Sequence, residues 1–234
     1  MNLTCSKLGP WWHVIKDSSS GIELSSYSSK TRNQIRRGLK NFVCIPVDRQ
    51  FIFENCFDVY KAAFSRYLTH EQLMSQRQFN SAIDSLPCST EFWVVLRKSN
   101  GEIAGFSENY IENSTCFYNS AWFDPSHLRD YCAYALFYSM NRHYLGELGF
   151  NYVSDGARSI SHATEIHDFL ISKFHFRKAY STLCVEYVTW LRFLIFILVP
   201  LKPLISMVSL PSFQKLKVLL TLECIRRECR KNNG

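Results

Sequence analysis

Four polar side chains that could take part in catalysis lie inside segments that are otherwise rich in aromatic and β-branched residues. They are Glu108, Asn119, Ser120 and Asp155. Polar groups in such strands need hydrogen-bond partners, and a carboxylate there can act as a general base or position an amine. Asp155 also has a purely structural interpretation, because Asp155-Gly156 is a common turn pair.

Ionisable groups outside these strands complete the set of candidates. His162 follows Asp155 and could act as a base, although helix capping or simple exposure is an equally ordinary role for an imidazole. Cationic side chains could hold an anionic group, because guanidinium forks match phosphate and carboxylate. The cationic candidates are Arg36, Arg37, Arg158 and Lys173.

The stretch Thr115–Arg158 must position most of these groups. Its aromatic first part predicts a strand, and Asp124-Pro125 predicts the start of a helix, because Asp caps a helix and Pro suits its first turn. Phe150–Asp155 predicts a second strand. A β-α-β unit of this length places two strands in parallel, with ligands near their carboxyl ends.

The segment Tyr27–Asn41 predicts a basic helix, which Ser28 or Ser29 can cap. Between residues 30 and 40 it carries five cations and no acid. Like charges four residues apart cost a few tenths of a kcal/mol each, which favours an anionic partner, although a solvated basic face is the simpler alternative. Because no recognised nucleic-acid motif surrounds this helix, we expect no specific nucleic-acid binding.

The remaining pattern predicts an α/β (α+β) fold with a mixed, mostly antiparallel sheet. Glu91–Arg97 and Glu102–Ile111 read as strands joined by an Asn-Gly hairpin turn, and Ser181–Tyr187 as a last strand. We divide the chain into an N-terminal segment, residues 1–26, a main domain, residues 27–187, and a helical extension, residues 188–234.

The extension is apolar first and basic afterwards. Its longest charge-free run, Phe193–Leu201, is too short to span a bilayer, which takes about 20 residues. Residues 190–231 suit the surface of an anionic membrane, and a helical pair packed on this chain or on a partner is the alternative. The pattern is compatible with an oligomer.

Composition narrows the class of protein. The 234 residues are 47% hydrophobic and carry a formal charge of +7, which argues against global disorder and favours anionic partners. The nine cysteines form no CxxC pair and no zinc-ligand pattern, so we expect reduced thiols and no metal. The N-terminus lacks the pattern of a secretion signal. We therefore expect a cytoplasmic protein, with the inner membrane face as a site of peripheral contact.

Two segments carry a resemblance to a known family. SSKTRNQIRRGLKN resembles the early S-K-x-R-x-x-I-R-R helix of the FemAB-like and BioF2-like branch of the GNAT superfamily of N-acyltransferases. YVSDGARSISHATEIHDFLISKFHFRKAY resembles the late strand, polar turn and helix of that branch. The resemblance covers about Tyr27–Tyr187 and includes the order of elements.

The resemblance implies transfer of an acyl or aminoacyl group to an amine or hydroxyl of a small-molecule or envelope-precursor acceptor. The donor would be acyl-CoA or an acyl carrier, used as co-substrate without a tightly bound cofactor. Transfer is direct in this fold, so no cysteine nucleophile is required. Asp155, His162 or Glu108 would act as base, Asn119 and Ser120 would face the acyl group, and the cleft would lie near Asn119 and Asp155.

One departure from the family pattern bears on the donor. Acetyl-CoA enzymes of the superfamily have an R/Q-x-x-G-x-G/A loop, whose backbone N–H groups bind pyrophosphate. Here the corresponding stretch, Phe123–Arg129, contains no glycine. The sequence therefore leaves two hypotheses open, an acyltransferase with a differently held donor and a non-catalytic docking module on the same fold.

Overall fold

A computed structural model describes residues 11–66, 72–160, 165–207 and 213–232. The chain divides into two compact units. The larger unit comprises Ile15–Gly156 and Phe169–Phe176, and the smaller unit comprises Met1–Val14, Ala157–Asp168 and Arg177–Gly234. Most of the candidate residues lie in the larger unit.

Strands and helices alternate along the described ranges. The strands are β1 (Trp11–Lys16), β2 (Phe42–Val47), β3 (Thr90–Arg97), β4 (Ile103–Glu112), β5 (Thr115–Phe123), β6 (Tyr152–Ala157) and β7 (Arg177–Ser181). The helices are α1 (Ser29–Asn41), α2 (Arg49–Asn55), α3 (Phe57–Phe64), α4 (Gln76–Asp84), α5 (Cys132–Asn141), α6 (Glu165–Phe174), α7 (Thr189–Leu198), α8 (Lys202–Met207) and α9 (Gln214–Asn232).

The antiparallel part of the sheet in the larger unit runs in the order β2, β3, β4, β5. Gly101 supplies the positive φ, +75°, that the turn between β3 and β4 requires. The meander that the sequence predicted is therefore confirmed. It fixes the order of side chains on β4 and β5, where Glu108, Asn119 and Ser120 lie.

A crossover connects β5 to β6. Asp124 accepts a hydrogen bond from the Ser126 N–H through its side chain, Pro125–Asp130 forms a 3₁₀ turn, and α5 follows. The strands β5 and β6 are parallel, as the sequence predicted, but only three residue pairs join them. The last pair is Phe117 with Ser154, and beyond it the two strands, which are wholly described, no longer pair. They therefore open a gap at their carboxyl ends.

Helices cover both faces of this sheet. The α5 face carries α5, with α1 packed on it. The contact is close, because a Cβ at Gly38 of α1 would lie 2.5 Å from the carbonyl oxygen of Tyr131. The α4 face carries α2, α3 and α4 over a core that includes Tyr60, Phe79 and Phe106. Each functional side chain of β4 and β5 must therefore point to one of two separate layers.

The smaller unit differs from the sequence prediction at two places. β1 begins at Trp11, where the sequence predicted only a segment packing on the domain, and it is hydrogen-bonded to β7. The predicted strand Ser181–Tyr187 is wrong, because β7 ends at Ser181 and the following residues have no regular structure. Apolar residues continue past Ser181, at Leu183, Cys184 and Val185, but pairing with a neighbouring strand decides where a strand ends.

Helices α7, α8 and α9 also belong to the smaller unit, and α9 contacts both of the others. None of the helices in the described ranges has both the length and the hydropathy needed to cross a bilayer.

Candidate active site

A β-bulge in β5 gives the site its shape. Glu108 of β4 pairs with Ser120, whereas the next residue, Asn109, pairs with Tyr118. Asn119 is therefore the extra residue of the bulge, and two residues of β5 lie opposite Glu108. A bulge bends its strand and redirects side chains. Here it brings Asn119 and Ser120 to the same face of the sheet as Glu108.

Glu108 is a buried carboxylate, only 8% exposed. Asn119 Nδ2 donates a hydrogen bond of 3.2 Å to its Oε2. Burial raises the pKa of Glu108, while the polar groups of Ser120, Asn119 and Trp122 oppose that rise. The Ser120 hydroxyl is near the carboxylate but outside hydrogen-bonding geometry, and Asn119 makes a direct contact. A carboxylate held in this way accepts a proton more readily than an exposed one, as a general base must.

Glu108 faces a pocket of about 220 Å³ on the α4 face. Its walls are mainly aromatic and aliphatic. The lining residues are Tyr60, Met74, Phe79, Ala82, Ile83, Leu86, Glu108, Asn119, Ser120 and Trp122. Among them Glu108 is the one ionisable group besides the Tyr60 phenol. An apolar pocket with a few convergent polar groups and a perturbed carboxylate is typical of a substrate site.

The aromatic wall is held rigidly. The rings of Tyr60 and Trp122 meet edge to face with centroids 5.0 Å apart, and Tyr60 stacks on Phe79 at 5.2 Å. The Tyr60 hydroxyl accepts a 3.3 Å hydrogen bond from the backbone N–H of Met74. These contacts fix the ring faces that border Glu108. Such faces favour a cationic or apolar group in the pocket.

Asp155 lies on the opposite face of the sheet. It follows Ser154, the partner of Phe117, so its side chain shares the face of Tyr118. Tyr118 donates a 2.9 Å hydrogen bond to Asn141 of α5, which identifies this as the α5 face. Burial raises the pKa of Asp155 to about 8. The structure therefore separates Asp155 from Asn119, although the sequence analysis placed both in one cleft.

The loop between β5 and α5 uses its own amides internally. The Ser126 N–H bonds the Asp124 carboxylate at 2.8 Å, and the His127 N–H bonds the Asp124 carbonyl oxygen at 3.1 Å. Arg97 holds the loop through an ion pair with Asp130 and a 3.1 Å contact with the buried His127 ring. Amides that are already bonded offer little to a pyrophosphate.

The residues that line the pocket include none of the basic candidates. Arg36 and Arg37 are exposed on α1, and the Arg37 guanidinium lies 4.9 Å from the centre of the Tyr131 ring, beside the start of α5. Lys173 is half-buried near the end of α6. Arg158 belongs to the smaller unit, where its backbone N–H donates to the carbonyl oxygen of Trp12 at 3.0 Å.

His162 lies outside the described residues. Within the described ranges, clusters of His, Cys, Asp and Glu that could bind a metal ion are absent.

Sequence reasoning missed two walls of the pocket. Tyr60 belongs to a run of aromatic residues at helical spacing, which indicates core rather than a site. Trp122 is two residues beyond Ser120 in the same strand, and strand periodicity would have placed it on the same face. That spacing was the available signal for Trp122, whereas the pocket itself depends on how α3 and α4 pack.

Comparison with known proteins gives the fold. No protein-family model and no curated sequence matches this chain. The solved structure of FemX matches 72% of this chain and 59% of its own, with 11% identity and a TM-score of 0.56. The chain therefore spans less than two thirds of FemX.

Two further solved structures are similar at lower TM-scores. One is the C-terminal domain of a putative lysylphosphatidylglycerol synthetase from Agrobacterium fabrum, with 16% identity over 64% of this chain and 47% of that chain, and a TM-score of 0.48. The other is an aminoglycoside acetyltransferase from an uncultured soil metagenomic sample, with 14% identity over 64% and 95%, and a TM-score of 0.43. The FemX match and the mixed sheet together show that this chain has the GNAT/FemAB-like fold that the sequence resemblance implied.

Proposed function

We propose that this protein is an acyltransferase that moves an acyl or aminoacyl group onto an amine, with a hydroxyl as a second acceptor class. One observation carries the proposal: a buried carboxylate with a raised pKa, Glu108, faces an aromatic pocket at a strand bulge. The fold shared with FemX agrees with such chemistry, although a fold alone does not determine function.

In the proposed step, Glu108 acts as general base. The acceptor enters the pocket as an ammonium ion and gives one proton to the Glu108 carboxylate. The free amine attacks the acyl carbonyl carbon, the C–N bond forms, and the bond from that carbon to the donor sulfur or oxygen breaks. The nitrogen gives its remaining extra proton to the leaving group, the amide product departs, and Glu108 releases its proton to solvent. Proton transfer of this kind contributes about 100- to 10,000-fold to the rate.

The gap between β5 and β6 is the proposed meeting place of the two substrates. The strands stop pairing after Phe117 and Ser154, and beyond that point Gly156 lies close to the Phe117 ring, since a Cβ on it would be only 3.0 Å from that ring. The acceptor would approach from the α4 face, where Glu108 lies. Arg36 and Arg37, which are exposed on α1, could hold the anionic part of the donor.

The backbone N–H groups of the loop between β5 and α5 are already hydrogen-bonded, which favours a donor that is not held through its pyrophosphate by this loop. An acyl-CoA gripped by side chains and an acyl carrier docked on the surface both meet this condition. The pocket volume of about 220 Å³ suits a compact amine, or the amine end of a larger envelope precursor. We propose that the reaction takes place in the cytoplasm or on the inner face of the membrane.

Product formation by the purified chain tests the proposal. Acyl-CoA, acyl-carrier and aminoacyl donors are each combined with a panel of primary amines, and amide products are identified by mass spectrometry, with thiol release measured for the thioesters. We expect one donor class to give an amide whose formation Glu108→Gln slows at least about 100-fold. Amide formation at the parent rate in Glu108→Gln would overturn the role of Glu108.

A non-catalytic docking module is the second candidate, and the bonded loop amides favour it. It predicts that no donor gives product in the same screen, while the chain still binds a partner. The Glu108→Gln variant would then bind that partner as well as the parent chain does.

A further inference from the structure

The helices α7 and α8 carry an exposed apolar surface. Eight side chains of these helices and of the turn between them are between 42% and 80% exposed. They are Trp190, Phe193, Leu194, Phe196, Ile197, Leu204 and Met207, with Leu201 in the connecting turn. Single exposed apolar residues are ordinary on a protein surface, but eight within residues 190–207, including a tryptophan and two phenylalanines, indicate an interaction site.

The opposite side of α7 already has its partner. Ile195 is 2% exposed and α7 contacts α9, whose Leu220 and Ile225 are also buried. A helix packed by one face normally presents polar residues on the other face. In α7 the residues are Thr-Trp-Leu-Arg-Phe-Leu-Ile-Phe-Ile-Leu, so both faces are apolar. Packing within the smaller unit therefore does not explain the exposed aromatic residues.

Charge identifies the kind of partner. Residues 188–234 contain eight Lys or Arg and two Glu, a net charge of +6 in a chain whose total is +7. Glu223 forms ion pairs with Arg226 and Arg227, at 2.7 and 2.8 Å, and these contacts lower the pKa of Glu223 to about 2. Arg192 is exposed within the apolar helix itself. Exposed aromatic side chains in a strongly cationic segment match the interfacial layer of an anionic bilayer.

Length decides how the helices meet the bilayer. The ten residues of α7 span about 15 Å, half of the roughly 30 Å hydrocarbon core. We propose that α7 and α8 lie in the plane of an anionic lipid surface, with Trp190, Phe193 and Phe196 inserted below the headgroups. This inference does not depend on the proposed acyl transfer, since it rests on residues of the smaller unit alone.

Vesicle flotation of the full chain tests the proposal. Vesicles of phosphatidylcholine alone are compared with vesicles that also contain phosphatidylglycerol. We expect the chain to float with the anionic vesicles, and the partition coefficient to fall at least about tenfold in Trp190→Ser/Phe193→Ser/Phe196→Ser. Arg192→Glu/Lys215→Glu should weaken binding to anionic vesicles and leave the weak binding to neutral vesicles unchanged. Val43→Ser/Ile45→Ser, exposed apolar residues on β2, is the matched control and should float like the parent chain.

Tryptophan fluorescence supplies a second readout. Insertion should shift the emission to the blue and allow quenching by brominated lipid, and both effects should disappear in Trp190→Phe. Equal flotation of the aromatic triple variant and the parent would overturn the proposal. Concentration-dependent self-association in sedimentation that the triple variant abolishes, without any vesicle binding, would also overturn it, because a second copy would then cover the patch.

Discussion

Glu108 and Asp155 make an informative comparison, because the same sheet presents one on each face. Both are carboxylates whose pKa burial raises, that of Asp155 to about 8. Glu108 faces a pocket of about 220 Å³. Asp155 lies on the opposite face of the sheet, which it shares with Tyr118, and Tyr118 donates a hydrogen bond to Asn141 of α5. A raised pKa therefore shows only that a carboxylate has lost water. Access to a cavity is the additional property that a catalytic base requires.

Packing explains the difference between the two faces. On the α5 face Cys132, Leu136 and Met140 of α5 are fully buried against the sheet, so little space remains. On the α4 face the bulge at Asn119 bends β5, and the Tyr60 and Phe79 rings form a wall beside Glu108. We attribute the pocket to that bulge and to the aromatic spacing of α3 and α4.

Replacing the two carboxylates should separate their roles most strongly. We expect Glu108→Gln to lower kcat about 100- to 10,000-fold, because the base is lost while the fold remains, and Asp155→Asn to lower it less than about tenfold. The measurement is steady-state kinetics with the donor and amine found in the screen. Glu112→Gln, at the exposed end of the same strand, is the control. Greater loss in Asp155→Asn would move the site to the α5 face.

Filling the pocket should have the next largest effect. Ala82→Phe places a ring in the cavity, so we expect KM for the amine to rise more than about tenfold with a smaller change in kcat. Ser81→Phe, one residue earlier on α4 and exposed, should leave KM unchanged. An unchanged KM in Ala82→Phe would show that the acceptor does not use this pocket.

Replacing Asp155 should change the pH dependence of folding stability more than it changes the reaction rate. Its pKa rises from 3.8 to about 8 on folding, so between these values the folded state holds a proton that the unfolded state has lost. The contribution of Asp155 to stability is therefore full below about pH 4 and is lost as the pH rises through 8. Denaturant unfolding from about pH 5 to pH 9 should show Asp155→Asn gaining stability over the parent chain as pH increases. Parallel curves would contradict this environment for Asp155.

The smallest effect is expected at Asn119. Its hydrogen bond to Glu108 favours the charged carboxylate, so Asn119→Ala should raise the pKa of Glu108. The acid limb of kcat/KM should move to higher pH by about one unit or less. An acid limb that does not move would mean that another group sets it.

Local chemistry made much of the fold predictable. The Ser28 cap of α1, the turn at Gly101 and the Asp124-Pro125 start of the crossover are each fixed by neighbours in sequence, and the structure has all three. The strand β1 was missed because its hydrogen-bonded neighbour, β7, lies far away in sequence. Strand propensity is weak evidence without a partner.

The candidate site was only partly predictable for a related reason. Glu108, Asn119 and Ser120 were recognisable as polar residues in apolar strands. The extra residue of the bulge, Asn119, changes which side chains of β5 share a face. The local sequence does not predict a bulge at this position. The pocket wall from α3 and α4, like the separation of Asp155, follows from tertiary packing.

The most direct measurement is a crystal structure of the chain with the amine acceptor found in the screen. The account predicts the amine nitrogen within hydrogen-bonding distance of the Glu108 carboxylate, with the acceptor body against Tyr60 and Trp122. An acceptor bound on the α5 face beside Asp155, with the Glu108 pocket empty, would contradict it.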